Sequence, residues 1–353
     1  MSTRQPPDPD NPIEYYLQHR ENSGKSVRTI EQDRLSLSHL VEYLESQDLD
    51  PSEATYKECN GFISWLQESE GKNVSGTSAR HYAGSVNGFY QFYSARGVFE
   101  TNPMAVALDE NPIKSDTERH RREISIEEMR EFIRSITEIQ LLAMILVFTK
   151  TGIRLGELIN LDLRDLYIDH EGARRVLPEP RPELAGKPDS MFIDSNVSQG
   201  DVVNGSRREY SNKRKMDTVI PIDEELKRCL LYWIAARPSS PEGGHPLFSK
   251  RRTSSATRTI GERASRGTVS NILRMRTKEF GWYSSGGDVQ NNVTPHYFRH
   301  FFTTHMRNRI GDTGVVKYVR GDVGEDIIDL YTHNWNGNVR EVYLGNIYSL
   351  FSG

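Results

Sequence analysis

Leu141-Leu-Ala-Met-Ile-Leu-Val-Phe148, followed at once by Thr149-Lys-Thr-Gly152-Ile-Arg154-Leu-Gly-Glu157-Leu158, sets the architecture of this 353-residue chain. Eight apolar residues in succession offer water no polar face, so they predict a helix enclosed by protein on all sides. They fall far short of the ~20 that a bilayer span requires. Gly152 marks the end of that helix, and Arg154 stands just beyond it, ahead of a second helical start. An arginine there is either half of a structural ion pair, with Glu157 the natural partner, or a cation held toward an anion. This segment by itself leaves both open.

Upstream, Ser125-Ile-Glu-Glu128 is a capping-box pattern leading into apolar positions Met129, Phe132 and Ile133. It opens a domain expected over 124–353. Before it, residues 102–123 carry Asn102-Pro103, Asn111-Pro112 and Glu118-Arg-His-Arg-Arg122 with little periodicity, and read as a linker. Residues 13–101 form an expected helical domain. One helix starts at Ser26 with Ile30, Leu35, Leu37, Leu40, Val41 and Leu44; another starts near Ser75 or Thr77 with Tyr82, Val86, Phe89, Tyr90 and Tyr93 on one face. That aromatic stripe is read as core packing. Residues 1–12, rich in proline, read as a disordered tail.

Downstream, short β-like runs at 166–168, 191–193 and 218–220 predict a small antiparallel sheet, with residues 177–204 as an insertion of no derived role. Helical patterns return over 224–236, 269–280, 295–310, 315–319, 326–331 and 339–348. The fold class is therefore mainly α with a small antiparallel sheet, α+β, in two domains. No repeat of 20–50 residues is visible. Two cysteines, Cys59 and Cys229, are too few for a disulfide framework or a thiolate metal site and fit a reducing compartment. The N-terminus has no apolar signal region. An intracellular, cytoplasmic chain without membrane contact is expected.

The chain has 45 Lys and Arg against 49 Asp and Glu, a formal net charge of −4, so a polyanion must be met by local patches. Residues 250–278 hold nine basic residues and one acid, and Arg207, Arg208, Lys213, Arg214 and Lys215 form a second cluster. Residues 12–105 hold 8 basic and 13 acidic residues, so that domain could meet DNA through one face only. The candidate DNA contacts are Arg28, Arg80, Arg207, Arg208, Arg214, Lys215, Lys250, Arg251 and Arg252.

Thr294-Pro-His296-Tyr-Phe-Arg299-His300 places His296 and Arg299 three residues apart, on one face of a helix that begins at Thr294-Pro295. Both can address an anion near the helix N-terminus. Taken together, this segment and the one around Arg154 resemble the tyrosine recombinase (phage integrase) family, which has an Arg in a Thr-Gly-x-Arg-x-x-Glu-Leu context and a later His-x-x-Arg-His. The similarity is greatest to the chromosome-dimer-resolving and archaeal integrase branch. Asn212-Lys213-Arg-Lys-Met-Asp-Thr-Val-Ile-Pro221 looks like the family's β-hairpin, whose lysine stands eight residues before the proline, which selects Lys213. Residues 13–101 are similar to its SAM-like core-DNA-binding domain.

From this resemblance follow the remaining expectations. Arg154, Lys213, His296 and Arg299 are the catalytic set, Glu157 and His300 support it, and Tyr331 is the nucleophile, with Tyr343 as the alternative. Gly321-Asp322 falls where the family has Gly-His, a departure, because an ionised acid cannot donate to phosphate. Asp322 therefore points away, or His333 or Trp335 fills that slot. The implied reaction is site-specific cleavage and rejoining of double-stranded DNA through a 3′-phosphotyrosyl bond, with no cofactor and no metal. The implied assembly is a homotetramer in synapsis, monomeric or dimeric when free, associated with the nucleoid. The short stretch before residue 13 leaves no room for an arm-site-binding domain. Two rivals are a relative that binds DNA without cutting it and an enzyme of type IB topoisomerase kind.

Overall fold

In the computed structural model, residues 11–69, 71–113, 122–241, 245–251, 260–285, 291–322 and 334–351 are described. The chain divides into two compact units, Met1–Arg119 and His120–Gly353.

The described residues of the first unit form five helices: α1 (Pro12–Asn22), α2 (Val27–Glu45), α3 (Tyr56–Gln67), α4 (Gly76–Ser94) and α5 (Pro103–Glu110). Their starts are chemically marked. Ser26 accepts from Thr29 N, Ser75 from Ser78 N, and Thr55 and Glu58 cap α3 reciprocally. Phe89, Tyr90 and Tyr93 are buried, and Tyr93 stacks on Phe99 at 4.8 Å between ring centres. The aromatic stripe of α4 is therefore core. Two boundaries differ from expectation. Asn11 caps α1, so the helix begins inside the expected tail. Within the expected linker, Asn102 caps α5, and Met104 and Ala107 are buried, because that short segment supplies the apolar lid over α3 and α4.

The second unit is organised by α7 (Ile139–Thr151), whose residues are nearly all buried. It follows α6 (Ile126–Arg134), and α10 (Glu224–Ala236) and α12 (Pro295–Arg307) pack on it, with Phe148 stacked on Phe298 at 6.2 Å. Strands β1 (Leu166–Tyr167), β2 (Ser190–Ile193) and β5 (Thr218–Pro221) form an antiparallel sheet in the order β1-β2-β5, with Leu166 opposite Met191 and Met191 opposite Ile220. β2 and β5 are buried along their whole length. A separate two-stranded hairpin, β3 (Val202–Val203) and β4 (Ser206–Arg207), turns at Asn204-Gly205, both at positive φ. Helices α8 (Leu155–Asn160), α9 (Glu171–Val176), α11 (Arg266–Glu279) and α13 (Thr313–Arg320) also belong to this unit, with a π-helical turn at Trp335–Glu341 and α14 (Val342–Asn346). The helix expected over 326–331 lies outside the described residues.

Candidate active site

The site starts where α7 stops. Gly152 closes that helix at φ 62, and a Cβ there would collide with the Phe302 ring, so the position requires glycine twice over. The reversed chain presents Arg154 at the N-cap of α8 in an extended conformation. Glu157, in the first turn of α8, accepts from Arg154 N at 2.9 Å and from Arg154 Nη1 at 3.0 Å. One carboxylate thus caps the helix and fixes the guanidinium.

Arg299 comes from α12. Its Nη1 donates to Gly152 O at 2.6 Å and to Arg320 O at 3.0 Å, which ties the side chain to the ends of α7 and α13. Burial, then the charges of Arg154 and Arg320, push its pKa down to about 10, so it stays a cation at neutral pH. His296, one turn earlier on the same face, is solvent-exposed, and His300 is half-buried.

The two arginines meet on one carboxylate. Asp322 Oδ1 lies 2.8 Å from Arg154 Nη2 and 2.7 Å from Arg299 Nη2, and Oδ2 lies 2.8 Å from Arg299 Nη2. Arg320 Nη2 brings a third guanidinium, 2.9 Å from Oδ2. Asp322 therefore points into the site, so of the two expected alternatives the one in which it turns away does not hold. Burial pushes its carboxyl up, but Arg299, Arg320 and Arg154 together outweigh that and hold it below the ordinary carboxylate range. The cause of its placement is the C-terminus of α13. Gly321 is left-handed at φ 70, and the Gly321 and Asp322 amides donate back to Tyr318 and Lys317 carbonyls, which aims the next side chain at Arg299.

Lys213 is exposed on the connection between β4 and β5, not in a strand of a hairpin: only Thr218–Pro221 of the segment expected to form one is a strand, paired with β2. Both of its neighbours are anchored. Asn160 donates to Asn212 Oδ1 at 2.8 Å, and Asn212 donates to Asp194 O at 2.7 Å. Arg214 is buried and donates to Glu157 Oε2 at 3.2 Å and to Val319 O at 3.1 Å. Glu157 therefore holds the Arg154 guanidinium with Oε1, and the Arg154 amide and the residue after Lys213 with Oε2. A Cβ on Gly321 would come 2.5 Å from Arg214 Cγ, so that glycine also clears the path of Arg214.

Several expected roles are corrected. Tyr343 is fully buried, its hydroxyl donates to Lys150 O at 2.8 Å, and burial pushes its phenol far above the ordinary value, so it belongs to the core and not to the reacting groups. Trp335 is buried and donates its indole N–H to Val219 O at 2.8 Å, which leaves no donor for phosphate. Arg208 is 1% exposed and pairs with Asp162 at 2.6 Å, and Arg214 faces inward as described, so neither is a DNA-facing cation. Lys250 and Arg251 pair with Glu262 and Glu138 at 2.8 and 2.7 Å. Arg80 is exposed, and its guanidinium donates to Ile113 O. Arg28, Arg207 and Lys215 are exposed. Tyr331, His333 and Arg252 lie outside the described residues.

Two participants went unnoticed in the sequence, Arg320 and the clamping role of Arg214. Arg320-Gly321 is a helix-ending pattern that sequence reading finds, but the direction of its guanidinium depends on α12 lying alongside. Among the described residues, no three His, Cys, Asp or Glu side chains are grouped as metal ligands, and no helix is long and apolar enough to cross a membrane. Chemically, two forked cations fixed on one anionic group, with a third beside them, suit a tetrahedral oxyanion such as a phosphodiester.

Comparison with known proteins follows the same lines. The phage integrase family model matches residues 122–336, and the phage integrase SAM-like domain model matches residues 11–108. The chain is 25% identical to tyrosine recombinase XerC of Roseiflexus castenholzii over 331 residues, 91% of this chain and 88% of that protein. It is 21% identical to tyrosine recombinase XerD of Oceanobacillus iheyensis over 335 residues, 91% of this chain and 92% of that protein. In fold it is similar to a lambda integrase dimer bound to a COC′ core site, with TM-score 0.61 and 16% identity over 92% of this chain and 77% of that one. It is also similar to the Tn1549 transposon integrase in complex with transposon right end DNA, with TM-score 0.62 and 16% identity over 91% and 93%.

Proposed function

The chain belongs to the phage integrase family and is a tyrosine-type site-specific recombinase, and from that premise we propose how its residues divide the work on double-stranded DNA. The observation that carries the reading is the convergence of Arg154 and Arg299, from two separate motifs, on one anionic group. A phosphodiester resists attack chiefly because its anionic oxygens repel the nucleophile, and fixed guanidinium forks relieve that repulsion. Tyr331 attacks the phosphorus, the bond to the 5′ oxygen breaks, and a 3′-phosphotyrosyl link forms. Lys213 protonates the leaving 5′ oxygen, and His296 assists proton transfer. Glu157 orients Arg154, and His300 supports the helix face that carries His296 and Arg299. The covalent link conserves the bond energy, so rejoining to a 5′-hydroxyl of a partner duplex requires no nucleotide hydrolysis.

Strand exchange between two duplexes implies a tetramer of protomers in synapsis, and the lambda integrase tetramer bound to a Holliday junction, similar in fold to this chain at TM-score 0.60, is a structure of that kind. Work on DNA inside the cell places the chain in the cytoplasm, at the nucleoid. Residues 13–101 supply the core-site contacts of the first unit. The matched families lend no weight to a DNA-binding relative without chemistry or to a topoisomerase.

The test is covalent trapping. Cells expressing the chain, lysed directly in detergent, should yield DNA attached to protein, and Tyr331→Phe should abolish the attachment while Tyr343→Phe keeps it. Attachment that persists in a Tyr331→Phe protein would remove Tyr331 from the reaction.

A further inference from the structure

We propose that Arg320 is a third phosphate-binding arginine of this site and that Asp322 is its built-in anion, seated where the scissile phosphate must sit and displaced when DNA enters. The proposal rests on the recombinase reading above, and it adds a residue and a resting state that the family motifs do not contain.

The geometry is that of an occupied oxyanion seat. Asp322 presents two oxygens to three guanidiniums within 2.7–2.9 Å, a density of positive charge that one carboxylate does not need for its own burial. Its side chain is 28% exposed, so the seat opens to solvent on one side. A phosphodiester offers two non-bridging oxygens with the same spacing requirement and one negative charge, so it can exchange for the carboxylate without changing the charge of the site. Arg299 cannot follow Asp322 outward, because Gly152 O and Arg320 O hold its other nitrogen. Nor can the backbone of Asp322, whose amide is bonded to Lys317 O. Only rotation of the Asp322 side chain about its Cα–Cβ bond is left, and it vacates the seat without disturbing the arginines.

Arg320 then meets the phosphate in the carboxylate's place. Its guanidinium reaches the seat from the last turn of α13, and its Nε is buried with no hydrogen-bond partner among the described residues, so the fold does not exhaust its donors. Its carbonyl positions Arg299 at 3.0 Å. An acid at 322 cannot donate to phosphate, and a guanidinium two residues earlier supplies the missing donor.

The experiment is titration of the full chain with inorganic phosphate in chloride buffer, followed by calorimetry and by thermal melting. Asp322→Asn should bind phosphate at least tenfold tighter than the unmodified chain, and adding Arg320→Gln should remove most of that gain. If Asp322→Asn is poorly folded in chloride, phosphate should restore its melting temperature; Asp322→Ser serves as the second variant. No gain in either variant, no restoration, or a gain indifferent to Arg320→Gln would overturn the proposal. Covalent DNA trapping with the same variants separates the two ideas. Adducts without a phosphate effect leave the recombinase and sink the seat; a phosphate effect without adducts in any variant leaves the seat and sinks the recombinase.

Discussion

At the scale of single residues, the site depends on carboxylates that hold cations in place. Glu157 is buried, and burial alone would push its carboxyl up, yet Arg214, the Arg154 amide and the Arg154 charge keep it below the ordinary range. One ionised oxygen pair therefore sets both Arg154 and the chain next to Lys213. Lys213 itself is exposed, as its proposed role of general acid toward a DNA oxygen requires. Lys213→Ala should slow cleavage by about 10²–10⁴-fold, the usual worth of general acid catalysis. A 5′-bridging phosphorothiolate substrate, whose leaving group needs no proton, should recover most of that loss; absence of recovery would deny Lys213 the role. Arg299→Lys should cost about 10²-fold or more in cleavage, because an ammonium cannot reproduce a fork that touches Gly152 O, Arg320 O and the seated anion together.

At the scale of elements, the most instructive contact is Lys150, at the end of α7 and without solvent exposure. Its Nζ lies 2.6 Å from Asp223 and 2.8 Å from Glu225, on the cap and first turn of α10, and Glu225 in turn accepts from Leu350 N and Phe351 N. Three distant pieces of chain are joined at one ammonium. Lys150→Met should cost about 3–5 kcal/mol by leaving two acids uncompensated, read from denaturant unfolding. Burial pushes the Glu225 carboxyl up, but the hydrogen bonds from Lys150 and Ser349, the Lys150 charge and the Phe351 amide prevail and bring it to about 2, against an ordinary 4.5. A depressed carboxylate contributes stability above its unfolded value and loses it as pH falls through the folded one. Glu225→Gln should therefore cost about 2 kcal/mol at pH 7, after allowance for solvent screening, and the difference should vanish between pH 4.5 and 2. None of this was visible in the sequence. The apolar run around Leu146, the capping box at Ser125 and the short β-like runs that became β2 and β5 were legible, because they are local patterns. A buried lysine in Thr149-Lys-Thr151 reads as a polar interruption until α10 is packed beside it.

At the scale of the whole molecule, the basic residues divide into two populations that the sequence presents as one. Arg208 and Arg263 surround Asp162, Arg214 serves Glu157, and Lys250 serves Glu262, so part of the apparent positive patch is neutralised internally. Sequence counting finds clusters of cations but not the acids that face them from other segments, and Asp162 lies 46 residues from Arg208. Arg154, His296 and Arg299 were legible as motifs; the Asp322 carboxylate between the arginines was legible only as a departure, since its direction comes from the cap of α13. The division makes a prediction about DNA binding. Replacing exposed Arg207 or Lys215 by alanine should lower the slope of log affinity against log salt by about 1 each, and an unchanged slope would remove that residue from the DNA contacts. Arg208→Ala should leave the slope alone and cost stability, about 3 kcal/mol, because the buried Asp162 carboxylate loses one of its two arginines.

All of these scales depend on one chemical event, the transfer of a DNA phosphate to a tyrosine. Peptide mapping by mass spectrometry of the covalent complex trapped in cells, with the attached DNA sequenced from the same material, reads that event directly. The nucleotide remnant should lie on Tyr331, joined through a 3′-phosphate, with a single recurring DNA sequence beside it. A remnant on Tyr343 or on any other side chain, or a 5′-linked phosphate, would contradict it.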